Sequence, residues 1–152
     1  MLKRQFLVQL LLLLCTYTVT LFCNPFPQIS IDAHQLNGEK CIVVIIPSFN
    51  NSRWCEYNLR TLFAQIYDNY YVIYIDDAST DNTYEIAQNL IEKSGKENQV
   101  ILIRNKSRKG ALHNLFYAIH ACPDNAIICT YDGDDWMPPG KRDVFRVINR
   151  AY

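Results

Sequence analysis

The chain opens with a stretch that is apolar on every side. It then settles into short apolar runs that alternate with segments of helical periodicity. Lys3 and Arg4 precede an apolar run from Phe6 to Cys23, which Asn24-Pro25 breaks. A positive start followed by such a run is the pattern of a secretory signal or a signal-anchor. At about 18 residues the run sits at the lower edge of what spans a bilayer. Gln9, Thr16, Thr18 and Thr20 dilute it, and no small-residue cleavage site follows. Cleaved and retained forms therefore both stand, with residues 1–23 as leader and membrane association through residues 6–23. The run has no polar face, which argues against an ordinary domain helix. Residues 24–40, with two prolines and Gly38, read as a linker.

From Cys41 the pattern is regular. Cys41 to Ile46 is a continuous, mostly β-branched run ended by Pro47, the signature of a strand buried on both faces. The next stretch places Leu59, Leu62, Phe63 and Ile66 on one helical face, with Asn51 or Ser52 as its cap. Tyr71–Ile75 predicts a second strand. Asn82–Ser94 predicts a helix with Ile86, Ala87, Leu90 and Ile91 inward and Gly95 as its stop. Val100–Ile103 predicts a third strand. Ala111–Ala121 predicts a helix with Leu112, Leu115, Phe116 and Ile119 inward, ended before Pro123. Ala126–Tyr131 predicts a fourth strand, and a last helix runs from about Gly140 to Asn149. Strands alternating with amphipathic helices imply right-handed crossovers. The fold class is α/β: a Rossmann-like parallel sheet with helices on both faces, formed by one domain over residues 41–152.

Charge and cysteine content narrow the class. Fifteen basic residues balance fifteen acidic ones, so nothing points to nucleic acid. Of the six cysteines, Cys15 and Cys23 lie in the leader, Cys41 and Cys129 in strand runs, and Cys55 and Cys122 near helix ends. Without a C-x-x-C pair or a His at ligand spacing, they read as small buried apolar residues rather than a zinc site.

In an open parallel sheet, ligands bind beyond the carboxyl ends of the strands. The residues there are Pro47-Ser48-Phe49-Asn50, Asp76 to Asp81, Arg104-Asn105 with the basic stretch Lys106 to Gly110, and Asp132-Gly133-Asp134-Asp135. The acidic side chains at this edge repel one another unless something positive sits among them. Asp132, Asp134 and Asp135 form the best-defined group, and Gly133 lets the backbone bend between them. An all-oxygen set suits Mg²⁺ or Mn²⁺, which takes one or two protein carboxylates and completes its shell with phosphate oxygens and water. The same residues also make an ordinary solvated turn. Asp77 reads as a ligand for a nucleobase imide or ribose hydroxyl, and Asp81 as a helix cap. Phe49 either stacks on a base or packs over the following helix. Arg104, Lys106, Arg108 and Lys109 read first as a solvated charge run, with an offset to diphosphate charge as the alternative. His113 and His120 have no companion ligands.

Four motifs in order resemble the family 2 glycosyltransferases, the group with the GT-A nucleotide-sugar fold. Val43 to Asn50 is similar to the family's V-x-I-I-P-x-Y-N ending, with Phe49 in place of Tyr. Tyr74 to Thr83 is similar to V-D-D-x-S-x-D-x-T. Gly110 and Asn114 fall in the G-x-x-x-A-R-N segment, with His113 in place of Arg, and Thr130 to Pro138 matches the D-x-D-D stretch. The resemblance runs from Cys41 to about Pro139. It implies a donor site of Pro47, Phe49, Asn50, Asp76, Asp77, Asp132 and Asp134, with a metal at Asp132, Asp134 and Asp135. It further implies sugar transfer from a nucleotide donor, commonly a UDP-sugar, to an acceptor hydroxyl. The family's catalytic base lies in a second half after the D-x-D stretch, and no residue here matches it. A membrane-held nucleotide-sugar-binding remnant is therefore the alternative to a transferase.

Overall fold

A computed structural model describes Ile31 and residues 38–152. The apolar run 6–23 and most of the linker lie outside the described residues. Among the described residues four strands form one sheet: β1 (Ile42–Ser48), β2 (Tyr70–Asp76), β3 (Val100–Arg104) and β4 (Ile127–Thr130). Their order is β3-β2-β1-β4 and every pairing is parallel. β1 and β2 are central, which is why their apolar runs are nearly unbroken: each strand buries both faces. The register sets Ser48 opposite Asp76 and Asp76 opposite Arg104. Three strands therefore end level, and Tyr131 extends β4 by donating its N–H to the Ile45 carbonyl at 3.0 Å.

Among the described residues four helices cover the sheet: α1 (Cys55–Phe63), α2 (Thr83–Lys93), α3 (Ala111–His120) and α4 (Val144–Ala151). Period-two alternation along β1 divides the core. Ile42, Val44 and Ile46 pack with Leu59 and Leu62 of α1, Leu90 and Ile91 of α2, and Phe145 of α4. Val43 and Ile45 pack on the opposite face with Ile73, Ile75, and Ala118 of α3, joined at the edge by Ile31. The helices thus lie on both faces, as the alternation of runs requires.

Three details depart from the sequence reading. Helix α1 stops at Phe63, leaving Ile66 47% exposed with its backbone N–H bonded to the Arg142 carbonyl at 2.7 Å. Its start is closed by the Asn51 carbonyl, which accepts from Trp54 and Cys55 N–H, so neither the Asn51 nor the Ser52 side chain caps it. The largest difference is α3, where Leu112 is 82% and Phe116 54% exposed while Asn114 and Ala118 are buried. This helix is apolar on two sides, so periodicity does not choose between them. Small Ala118 faces β1, and Asn114 turns inward to accept a hydrogen bond from Asn105. Among the described residues Cys41, Cys55, Cys122 and Cys129 form no disulfide, the first two buried and the others half-buried.

Candidate functional site

The loops after β1 and β2 are laced together. Asn50 N–H donates to Ser79 Oγ at 2.9 Å, and Asn50 Oδ1 accepts from Thr80 N–H at 2.9 Å. Asn51 N–H donates to Thr83 Oγ1 at 2.8 Å. Asp81 accepts from Thr83 N–H at 3.0 Å and from Ser52 N–H at 3.1 Å, so it ties the start of α2 to the neighbouring loop. Two residues adopt left-handed backbone to make this possible: Asn50 at φ 54° and Ala78 at φ 60°. Asn tolerates that region, whereas Ala78 costs about 1–2 kcal/mol there. Strain of this kind persists only where surrounding bonds over-determine it.

Asp77 is held through both of its carboxylate oxygens. It is buried, with Oδ1 accepting from Asn105 Nδ2 at 2.7 Å and from Lys109 N–H at 2.8 Å. Its Oδ2 accepts from Gly110 N–H at 2.7 Å. Burial pushes its pKa up, but these donors favour the charged form more strongly and hold it below the ordinary 3.8. Pro47, Phe49, Asp77, Arg108, Gly110 and Asn114 line a cavity of about 100 Å³. That is too small for a whole drug-sized ligand, and fits a subsite for one ring. Phe49 faces this cavity, with the Arg108 guanidinium 4.0 Å from its ring centroid. Lys109 takes part through its backbone N–H.

Asp76 is 0% exposed and lies inside the fold. Its Oδ2 accepts from Ser79 N–H at 3.3 Å and lies 3.6 Å from Arg104 Nε. Arg104 also pairs with Glu85 at 2.9 Å and stacks on Tyr84. Asp76 thus supports the loop that carries Asp77, and Arg104 is engaged structurally. His113 and His120 make ring contacts with Tyr117 and Phe116 on their own helix.

The acidic loop after β4 is built the opposite way. Asp132, Asp134 and Asp135 are all exposed, while Gly133 between them is buried. A Cβ on Gly133 would lie 2.6 Å from both Asn51 Nδ2 and Ser48 Oγ, so only glycine lets this loop seat against the end of β1. Asn58 Nδ2 of α1 holds the loop from below by donating to the Asp132 carbonyl at 3.0 Å and the Asp135 carbonyl at 2.8 Å. Among the described residues no three acidic, Cys or His side chains converge as a metal cluster. The donor set still fits a hard divalent cation, because Mg²⁺ or Mn²⁺ needs only one or two protein carboxylates when phosphate oxygens complete the shell.

Sequence reasoning placed Asn105, Lys109 and Gly110 at this edge without their role as donors to Asp77, and missed Asn58 altogether. An Asn on an amphipathic helix looks like a solvent-facing residue, and backbone donors carry no side-chain signature.

The sequence pattern of the family described as Glycosyl transferase family 2 matches residues 43–150, from the second residue of β1 to the last but one of α4. The chain belongs to that family. A putative glycosyltransferase of Bacillus subtilis, EpsE, is 32% identical over 105 residues, covering 68% of this chain and 36% of that protein. An uncharacterized glycosyltransferase of Nostoc is 29% identical over 111 residues, covering 72% of this chain and 33% of its own. The chain thus spans about a third of the length of these curated relatives. Among solved structures, the mannosyltransferase PcManGT of Pyrobaculum calidifontis, in complex with GDP-Man and Mn²⁺, superposes with a TM-score of 0.64 at 23% identity. That match covers 91% of this chain and 38% of that one. TarS of S. aureus in complex with UDP-GlcNAc gives 0.58 at 18% identity, covering 71% and 30%. At these identities the superpositions establish the shared GT-A fold.

Proposed function

We propose that this chain is the donor-binding part of a glycosyltransferase that takes its sugar from a nucleoside diphosphate sugar, with a UDP-sugar favoured. The observation that carries this reading is Asp77. It is a buried carboxylate kept ionised by Asn105 and two backbone amides, and it lines a ring-sized cavity beside Phe49. Such a group can accept the N–H of a base imide while Phe49 offers a flat face. The exposed acids Asp132 and Asp134 follow the neighbouring strand, where the ribose and diphosphate of a base in that cavity would extend. Asp132, Asp134 and Asp135 are the residues that would hold Mn²⁺ or Mg²⁺. Such an ion, when bound, supplies Lewis-acid stabilisation of the charge that develops on the departing diphosphate. In this reading Asp77 fixes the base, and Gly133 and Asn58 fix the acidic loop at its distance from it. The run 6–23 would hold the domain at a membrane, with Lys3 and Arg4 on the cytoplasmic side. Carbonate extraction of the full chain tests that placement.

The test of the donor site is calorimetric titration of the detergent-solubilised full chain with UDP, in Mn²⁺ and again in EDTA. Binding that strengthens with Mn²⁺ and weakens in Asp134→Asn is expected. A folded chain giving no metal-dependent heat with either UDP or GDP would sink the donor-site reading.

A further inference from the structure

We infer that α1 is a positioning element for the acidic loop, and that Asn58 is the residue through which it acts. The inference rests on the reading of Asp132 to Asp135 as the diphosphate and metal end of the donor site. Asn58 and Thr61 fall at i and i+3, on one side of α1, and Gln65 lies two residues past its end. All three bond to backbone of the same following segment. Asn58 Nδ2 spends both protons on the Asp132 and Asp135 carbonyls. Those two carbonyls bracket the turn that Asp135 N–H closes onto Asp132 O at 3.1 Å. Thr61 Oγ1 accepts from Met137 N–H at 3.1 Å. Gln65 Nε2 donates to the Lys141 carbonyl at 2.8 Å, and its Oε1 accepts from Val144 N–H at 3.1 Å. Trp136, next along, packs between Trp54 at 5.6 Å and Tyr57 at 5.4 Å between ring centroids.

The device grips the main chain and leaves the carboxylates alone. Had α1 held the loop through Asp side chains, those oxygens would be unavailable to a cation or to phosphate-bound water. Stability of α1 does not account for the amide at position 58. Asn58 is fully buried, and its Oδ1 has no protein partner. A leucine there would remove that orphaned acceptor while leaving both loop carbonyls unheld. Asn58 is therefore a positioning residue. Asn58→Ala should loosen the turn and weaken metal-assisted binding without touching the base subsite, which is held separately by Asn105 and the Lys109 and Gly110 amides.

The experiment compares wild type, Asn58→Ala and Thr61→Val as full-length, detergent-solubilised chains. UDP affinity is measured in EDTA and in Mn²⁺, and amide hydrogen exchange is followed at Asp135. In Asn58→Ala the affinity gained on adding Mn²⁺ should fall by about ten- to a hundredfold, the range for losing a residue that orients metal ligands. Affinity in EDTA should stay unchanged and Asp135 exchange should quicken. Thr61→Val should do the same more weakly, and it carries the test if Asn58→Ala does not fold. An unchanged Mn²⁺ gain with unchanged exchange overturns the inference. So does an equal loss of affinity in EDTA, because that marks Asn58 as a general packing residue. If wild type itself gains nothing from Mn²⁺, the metal reading fails on its own account. Asp135 exchange then decides the clamp, and unaltered exchange in both variants overturns it.

Discussion

The acids after β2 and the acids after β4 end at the same edge of one sheet, yet they are held in opposite ways. At the end of β2 and in the loop beyond it the carboxylates themselves are bound: Asp77 by Asn105 and two amides, Asp81 by Thr83 and Ser52, Asp76 by Ser79 and Arg104. After β4 the backbone is bound, by Asn58 and by the close seat of Gly133, and the carboxylates stay exposed. A carboxylate with its lone pairs partly used and its charge fixed is suited to orienting one uncharged polar ring. Carboxylates with open coordination are suited to a cation whose shell is finished by the ligand. The difference also separates stability from binding, because replacing the acids of the first loop should damage both and replacing those of the second mainly binding.

The sharpest break comes from Asp77→Asn, which turns an amide NH₂ or a weaker acceptor toward three donors. It should cost about 3 kcal/mol, in line with a charge-assisted hydrogen bond lost from a buried site. It should also abolish UDP binding in EDTA. Urea unfolding and calorimetry check both. A stable variant that still bound UDP would erase the contrast between the loops.

Gly133→Ala should cost about 2 kcal/mol, as overpacking does, because its Cβ meets Ser48 and Asn51. It should remove the Mn²⁺-dependent part of UDP binding by lifting the acidic loop. A smaller effect should appear on acidification. Asp77 and Asp81 are held below the ordinary 3.8 because their hydrogen bonds outweigh the upward push of burial. A depressed folded pKa means that their stabilisation is complete above that ordinary value and is lost as pH falls through the lower folded values. Unfolding monitored by circular dichroism should therefore steepen below about pH 4, and less so in Asp77→Asn. The smallest stability effect belongs to Asp134→Asn, within about 0.5 kcal/mol because the group is exposed. The same change should nonetheless weaken Mn²⁺-dependent UDP binding. A large loss of stability there would mean that the acidic loop, too, is held through its side chains.

Much of this arrangement was legible in the chain. The β-branched run of β1 and the strand-end positions of Asp77 and the Asp132–Asp135 group followed from periodicity and from the rule that parallel strands open their ligand edge at one end. The face presented by α3 was not legible. Leu112, Phe116, Leu115 and Ala118 give the helix two apolar sides, and only the close approach of Ala118 to β1 and the pull of Asn105 on Asn114 select one. Asp76 and Asp77 were equivalent as letters, yet one lies fully inside the fold and the other lines the cavity. Alternation sends consecutive strand residues to opposite sides, but where each side is open depends on loops far along the chain.

The sequence by itself determined the α/β order, the parallel sheet, the family and the edge at which the acids gather. Local periodicity and short motifs encode those features within a few residues of one another. The tertiary structure alone decided which acid is buried, which is braced by amides from a loop some thirty residues away, and which is left exposed above a clamp from α1. Those outcomes depend on hydrogen bonds between segments far apart in the chain, whose donors are mostly backbone groups that every residue carries alike.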